Sequence, residues 1–292
     1  NTDPLYGWCN KNFKKDGSTY NVYSDGLKVF TTVDSRMQRY AEEAVYQHVA
    51  RYLQPAFSKE VSRKPSSPYS DKLTPKQIKA ILNRSVTQCE RYRQMKEAGC
   101  SAEEIHDTFR KKIPMTVFTY HGDIDTLMSP LDSIRYYKTF LRSGFMSMDP
   151  KTGAVKAYVG GLDYTHFMYD MVSLGRRQVG STIKPFLYSL AMENGFSPCD
   201  LAPNRQQTYM VAGRPWTPRN ANHSRYGQMV PLSWGLAQSN NWISAYLMSK
   251  LNPSQFVQLL HDYGINNPDI HASMSLCLGP CEVSVSEMVS AY

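Results

Sequence analysis

Ser181 and Lys184 are the residues whose types and spacing point most directly to chemistry. They stand in RQVGSTIKPFLYSLAMENG, residues 177–195. From Ser181 onward Ile183, Phe186, Leu187, Leu190 and Ala191 recur at helical spacing. Gly195 suits the left-handed position past a helix end. The pattern predicts a helix with Ser181 at its N-terminus and Lys184 one turn later on the same side. Pro185 falls in the first turn, where a missing N–H costs least. A serine hydroxyl becomes a nucleophile when a base lies within hydrogen-bond reach. Lysine serves as that base when burial or nearby positive charge depresses its pKa. The helix N-terminus would add N–H donors that favour an oxyanion. A helix cap followed by a surface lysine has the same letters, so Ser-x-x-Lys alone is a weak signal.

Two further tripeptides invite the same question. Ser239-Asn240-Asn241 lies between two helical patterns, where Ser and Asn are also ordinary caps. Lys151-Thr152-Gly153 follows Asp149-Pro150 between two strand patterns. Pro presets a turn, Asp bonds the backbone ahead and Gly takes the left-handed position, so the tripeptide reads as a hairpin tip. Gly175-x-x-x-x-Gly180-Ser181-Thr182 is a near miss for a phosphate-binding loop. That loop needs Lys directly after its second Gly, and Ser181 stands there, which excludes the nucleotide reading.

The elements that position these residues follow from pattern. Residues 1–27 are polar and turn-rich. Residues 28–33 read as a strand. Asp34 is a natural cap for an amphipathic helix that carries His48 on its apolar side and ends at Pro55. Helical patterns return over 75–98, after a Ser101/Glu104 capping box, and over 130–141. Pro114 closes the second of these, and residues 115–120 alternate as a strand would.

The chain has 292 residues, 41% apolar and 20% charged, which suits a folded protein with a sizeable core. No apolar run reaches membrane-spanning length, and no leader stands at Asn1. The net charge is +8, and residues 55–114 hold thirteen Lys and Arg against seven Asp and Glu. A solvated helical face explains this, and so does attraction to a polyanion or anionic lipid headgroups. Nucleic-acid signatures are absent, so no nucleic acid partner is expected. Cys277 and Cys281 have no second pair or nearby His to complete a zinc site, so neither metal nor other cofactor is expected. They are either a disulfide or buried thiols.

Five blocks in order resemble the transpeptidases of the penicillin-binding proteins, most closely the class A, bifunctional members. TTVDSRMQRYAEEAV resembles the entry to the domain. GFMSMDPKTGAVKAYVGGLDY resembles its first hairpin, and RRQVGSTIKPFLY its nucleophile block. PWTPRNAN with GQMVPLSWGLAQSNN resembles the stretch ending in Ser-x-Asn, and LCLGPCEVSVSEMVSAY the segment beyond it. The resemblance implies an α+β fold, an antiparallel sheet sandwiched by helices. It implies a peptidoglycan D,D-transpeptidase at the outer face of the bacterial cytoplasmic membrane. Ser181 would attack the stem-peptide D-Ala carbonyl and Lys184 would take its proton. Ser239 would relay a proton to the leaving amine. Asn241 would orient Lys184 and bind the substrate amide. Nascent glycan strands and β-lactam antibiotics would be the other partners, with the membrane surface met through a preceding region.

One departure matters. The family's Lys-Thr-Gly follows Ser-x-Asn on an edge strand, and here none follows Asn241. The expectation is that the domain is incomplete at its C-terminal side and that this polypeptide alone is not competent. By the same resemblance, residues 1–27 are a linker after a glycosyltransferase domain. Residues 28–143 are the entry strand and helix plus a helical insertion, and 144–292 the N-terminal part of the catalytic domain. A carboxypeptidase or β-lactamase of the same fold, or a non-catalytic wall-binding module, are the alternatives.

Overall fold

The computed structural model describes residues 7–292 and divides into two units between Val33 and Asp34. In the first unit, helix α1 (Trp8–Lys11) precedes a turn closed by a Phe13–Thr19 bridge. Asp16 Oδ1 accepts from the Ser18 N–H and hydroxyl, and Lys14 pairs with Asp25 at 2.8 Å. Residues 28–33 do not form the expected strand. Val29 and Phe30 are exposed, and the segment runs outside the described ladders. A β pattern becomes a strand only where several consecutive residues pair in register with a second edge.

The second unit opens with helix α2 (Ser35–His48). Asp34 Oδ1 caps it, accepting from the Arg36 and Met37 N–H groups at 2.9 and 3.1 Å. Pro55 does not end this helix. A π-helical turn, Val49–Leu53, passes into α3 (Gln54–Val61), with Pro55 in the first turn. Proline's missing donor is tolerated there, and the wider turn absorbs the break. His48 is exposed rather than packed. The row that faces inward is Ala41, Val45 and Val49, each four residues on, and His48 lies about 100° off it. Gln54 is the buried polar hub here. It donates to Thr139 O at 2.9 Å and accepts from the Leu141 N–H at 2.9 Å.

Helices α4 (Pro75–Thr87), α5 (Glu90–Glu97) and α6 (Ala102–Arg110) follow, and the Ser101/Glu104 capping box is formed. Strands β1 (Ile113–Val117) and β2 (Ile124–Met128) pair, and α7 (Pro130–Tyr137) closes the region. So 75–137 is mixed rather than purely helical. Pro114 lies inside β1 and does not end a helix. Proline is tolerated on an edge strand, and β1 has β2 as its ladder partner.

β3 (Phe145–Met148) and β4 (Val155–Val159) form an antiparallel hairpin. α2 packs on β4 through Ala41 and Val45 against Ala157 and Val159. The Gln38 amide bonds both the N–H and the carbonyl of Tyr158. Beyond β5 (Arg177–Gln178) and a 3-10 turn (Gly180–Ile183), α8 (Lys184–Glu193) enters the core. Gly195 is left-handed at φ +89°, as the C-terminal pattern required. β6 (Leu201–Pro203), β7 (Tyr209–Val211), β8 (Arg214–Trp216) and β9 (Met229–Pro231) form two small ladders, β6–β9 and β7–β8. Helices α9 (Leu232–Ala237), α10 (Asn241–Met248) and α11 (Pro253–Asp262) complete the main core. Leu187, Ile243, Leu247, Phe256 and Leu260 are fully buried at its centre. A second 3-10 turn (Met274–Leu278), β10 (Glu282–Val283) and α12 (Val285–Ala291) follow; α12 packs on β3. The expected antiparallel arrangement appears, among the described residues, as two-stranded ladders with helices packed on them.

Candidate active site

The turn that carries Ser181 is held by the chain that returns from the far end of the unit. β5 pairs with β10, the Val179 N–H donates to Cys281 O at 2.9 Å, and the Gly180 N–H donates to Gly279 O at 3.0 Å. Both glycines are left-handed, Gly180 at φ +58° and Gly279 at φ +67°. They are so close that a Cβ on Gly279 would stand 2.1 Å from Gly180 O. Ser181 follows in the 3-10 turn, exposed, three residues before α8 begins. Its hydroxyl caps nothing and has no hydrogen bond among the described residues. It is therefore free for a substrate, and the cap reading of Ser181 fails.

Lys184 is no surface lysine. It is 1% exposed and lies at the first position of α8. Its Nζ donates to Ser239 O at 2.5 Å, Ser239 Oγ at 3.1 Å and Asn241 Oδ1 at 2.7 Å. The structure thus brings Lys184, Ser239 and Asn241 together. Ser181 is joined to them only through the backbone, where the Lys184 N–H donates to Ser181 O. Burial pushes the Lys184 pKa down to about 8, and the neighbouring Cys277 thiol acts against that shift. Burial pushes Cys277 itself up to about 12. A lysine near 8 is in part neutral at physiological pH, which a general base requires.

Ser-x-Asn sits in a turn between α9 and α10. Ser239 is left-handed at φ +49°, an uncommon conformation for a residue with a Cβ. Asn240 caps α10 by accepting from the Trp242 and Ile243 N–H groups. Asn241 is fixed on two sides: its Nδ2 donates to Arg219 O at 2.8 Å, and its N–H donates to Asn220 Oδ1 at 3.0 Å. The cap reading of this tripeptide holds for Asn240, while sequence reasoning singles out neither Asn204, Asn220 nor Gly279 for a role. The density of Asn in NANHSRYGQ and SNN was the signal available.

Lys151-Thr152-Gly153 is the tip of the β3–β4 hairpin. Asp149 Oδ1 accepts from the Lys151 and Thr152 N–H groups, and Gly153 is left-handed at φ +69°. No hydrogen bond or ion pair joins it to Ser181, Lys184, Ser239 or Asn241. Lys151→Ala in a transpeptidase-competent protein should therefore leave the penicillin acylation rate within about twofold, since exposed sites away from such features seldom matter. A hundredfold loss by stopped-flow labelling would mean that the tripeptide reaches the site.

Cys277 and Cys281 are free thiols, which decides between the two readings of the pair. No helix among the described residues is long and apolar enough to cross a membrane.

Residues 64–141 match the family model of the penicillin-binding protein middle domain, and residues 143–274 that of the penicillin binding protein transpeptidase domain. The chain belongs to the penicillin-binding protein family. Among curated penicillin-binding proteins, the penicillin-binding protein 1A of Neisseria flavescens is 27% identical, over 96% of this chain and 38% of its own length. The penicillin-binding protein 1A of Neisseria meningitidis serogroup A is 26% identical, over 93% of this chain and 37% of its own length. The chain therefore spans less than half the length of the penicillin-binding proteins it matches. The crystal structure of penicillin-binding protein 1A from Haemophilus influenzae superposes with a TM-score of 0.59 at 21% identity. It covers 96% of this chain and 43% of that one, and it shows the shared fold.

Proposed function

We propose that the protein is a peptidoglycan D,D-transpeptidase that works through an acyl-serine at Ser181. The observation that carries this reading is Lys184: buried, held below the ordinary lysine range, and met by three oxygens of the Ser239–Asn241 turn. Neutral Lys184 takes the Ser181 hydroxyl proton as Oγ bonds to the carbonyl carbon of the penultimate D-Ala. The peptide C–N bond then breaks, and the Lys184 proton passes through the Ser239 hydroxyl to the departing D-Ala amine. The amine of a second stem peptide attacks the acyl-enzyme and returns Ser181 with its proton. Asn241 holds the lysine and offers its amide to the substrate. A β-lactam enters by the same first step and remains as the acyl-enzyme.

The similarity to class A members supports a wider proposal. The whole protein also carries a glycosyltransferase activity, and it works at the outer face of the cytoplasmic membrane on nascent glycan strands and their stem peptides. In that account residues 1–27 link the two activities, 28–143 form the entry and middle region, and 144–292 the first part of the catalytic domain.

After Asn241 the 292 residues contain no Lys-Thr-Gly or Lys-Ser-Gly. In this family that strand supplies one oxyanion donor, and losing one donor costs about two to three orders of magnitude. A fluorescent penicillin should label the 292-residue polypeptide that much more slowly than a form extended through the third motif. Equal labelling rates would overturn the reading of the site.

A further inference from the structure

We propose that the buried amide pair Asn204–Asn240 is a positioning element that holds Ser239 and Asn241 onto Lys184. The inference rests on the reading of Lys184 as the base. Asn204 is fully buried and Asn240 is 2% exposed. Asn240 Nδ2 donates to Asn204 Oδ1 at 2.9 Å. Asn204 Nδ2 in turn donates to the carbonyls of Ser224 and Arg225 at 2.8 and 2.9 Å. Its backbone is tied as well: Asn204 N–H to Gln228 O, and Gly227 N–H to Asn204 O, both at 2.9 Å.

These bonds close a circuit. It runs from Lys184 to Asn241, along the loop 219–228 through the Asn241–Arg219 and Asn241–Asn220 bonds, and into Asn204. From there Asn240 leads to Ser239 and back to Lys184. Two non-glycine left-handed residues sit where the pair meets its neighbours. Arg225 at φ +55° gives its carbonyl to Asn204, and Ser239 at φ +49° directly precedes Asn240. Such conformations persist only where the surroundings over-determine them. The pair supplies that constraint: in a buried setting its bonds are strong and an unmade one is costly. Without it the Ser239–Asn241 turn relaxes from its left-handed geometry, and water reaches Lys184.

The test is the titration of Lys184 itself, which does not depend on catalysis. The 292-residue chain is labelled with 13C at lysine Cε, and Lys184 is followed by NMR against pH. Asn240→Ser keeps a cap for α10 but removes the donor to Asn204; Asn204→Ala removes the other half. Leu260→Ala, in the core on α11, is the control for stability alone. Cys277, the titratable neighbour coupled to Lys184, is unchanged in all three. The Lys184 midpoint should rise in N240S and N204A, by roughly tenfold in proton affinity. It should stay in place in L260A although that protein melts earlier. An unmoved midpoint in N240S, or an equal shift in L260A, overturns the proposal. Should N204A not fold, N240S decides alone. Failure of the base assignment is a separate result: K184M would be acylated at the wild-type rate whatever the titrations show.

Discussion

Lys184→Met in a transpeptidase-competent form of the protein is expected to slow penicillin acylation by about three orders of magnitude, the range of a lost general base. Methionine fills a similar volume, and removing a buried charge offsets the three oxygens left without a donor, so the fold should survive. The wild-type rate should climb with pH through about 8, as Lys184 sheds its proton, and K184M should lack that rise. Stability carries the same signature. Lys184 titrates at about 8 folded and near its ordinary 10.5 unfolded. Between those values the unfolded chain binds the extra proton, so stability increases with pH. Cys277, held up at about 12 against 9.0, has the opposite slope above pH 9. The net gain is therefore confined to about pH 8–9 and is of order 1 kcal/mol. Chemical denaturation at pH 7.5 and 9 should show it in wild type and not in K184M. Acylation of K184M within tenfold of wild type would remove the lysine from the mechanism.

Gly279→Ala should be nearly as damaging, although Gly279 touches no reacting atom. The added Cβ would stand 2.1 Å from Gly180 O and 2.6 Å from Gly180 N, and both contacts are backbone. It would also place a side chain at φ +67°. Neither segment can yield without breaking the Gly180–Gly279 and Val179–Cys281 hydrogen bonds that set the Ser181 turn. A loss of roughly 2–4 kcal/mol is expected, in the range of the strongest single substitutions. Melting should fall by several degrees, and acylation of Ser181 should fall with it. Gly195→Ala makes the comparison: it also sits at positive φ but has open space around its Cβ. It should cost only about 1 kcal/mol and leave acylation unchanged. Equal effects of the two substitutions would refute the close-packing argument.

The parts of the fold that could be read from the sequence are those fixed by local chemistry. Asp34, Ser101 with Glu104, Gly153 and Gly195 all act as their types predict, because caps and left-handed positions depend on a few neighbouring atoms. The misreadings are tertiary. Pro55 reads as a helix end, yet a π turn continues that helix. Residues 28–33 have a strand's alternation without a ladder. The pattern puts Ser181 at an α-helix N-terminus, but it precedes α8 on a 3-10 turn. At the site, Ser181, Lys184, Ser239 and Asn241 were legible because their spacing matched a family. Three of them meet. The asparagines behind them and the Gly180–Gly279 contact are not legible, since each joins segments 20 to 99 positions apart. No period or spacing reports a contact of that kind.

The most direct measurement is the site of covalent attachment. The competent protein is treated with benzylpenicillin, digested, and the adduct located by mass spectrometry. The account predicts a single penicilloyl group on Ser181, lost in Ser181→Ala. An adduct on Ser239 or Lys184, or undiminished labelling of Ser181→Ala, would contradict it.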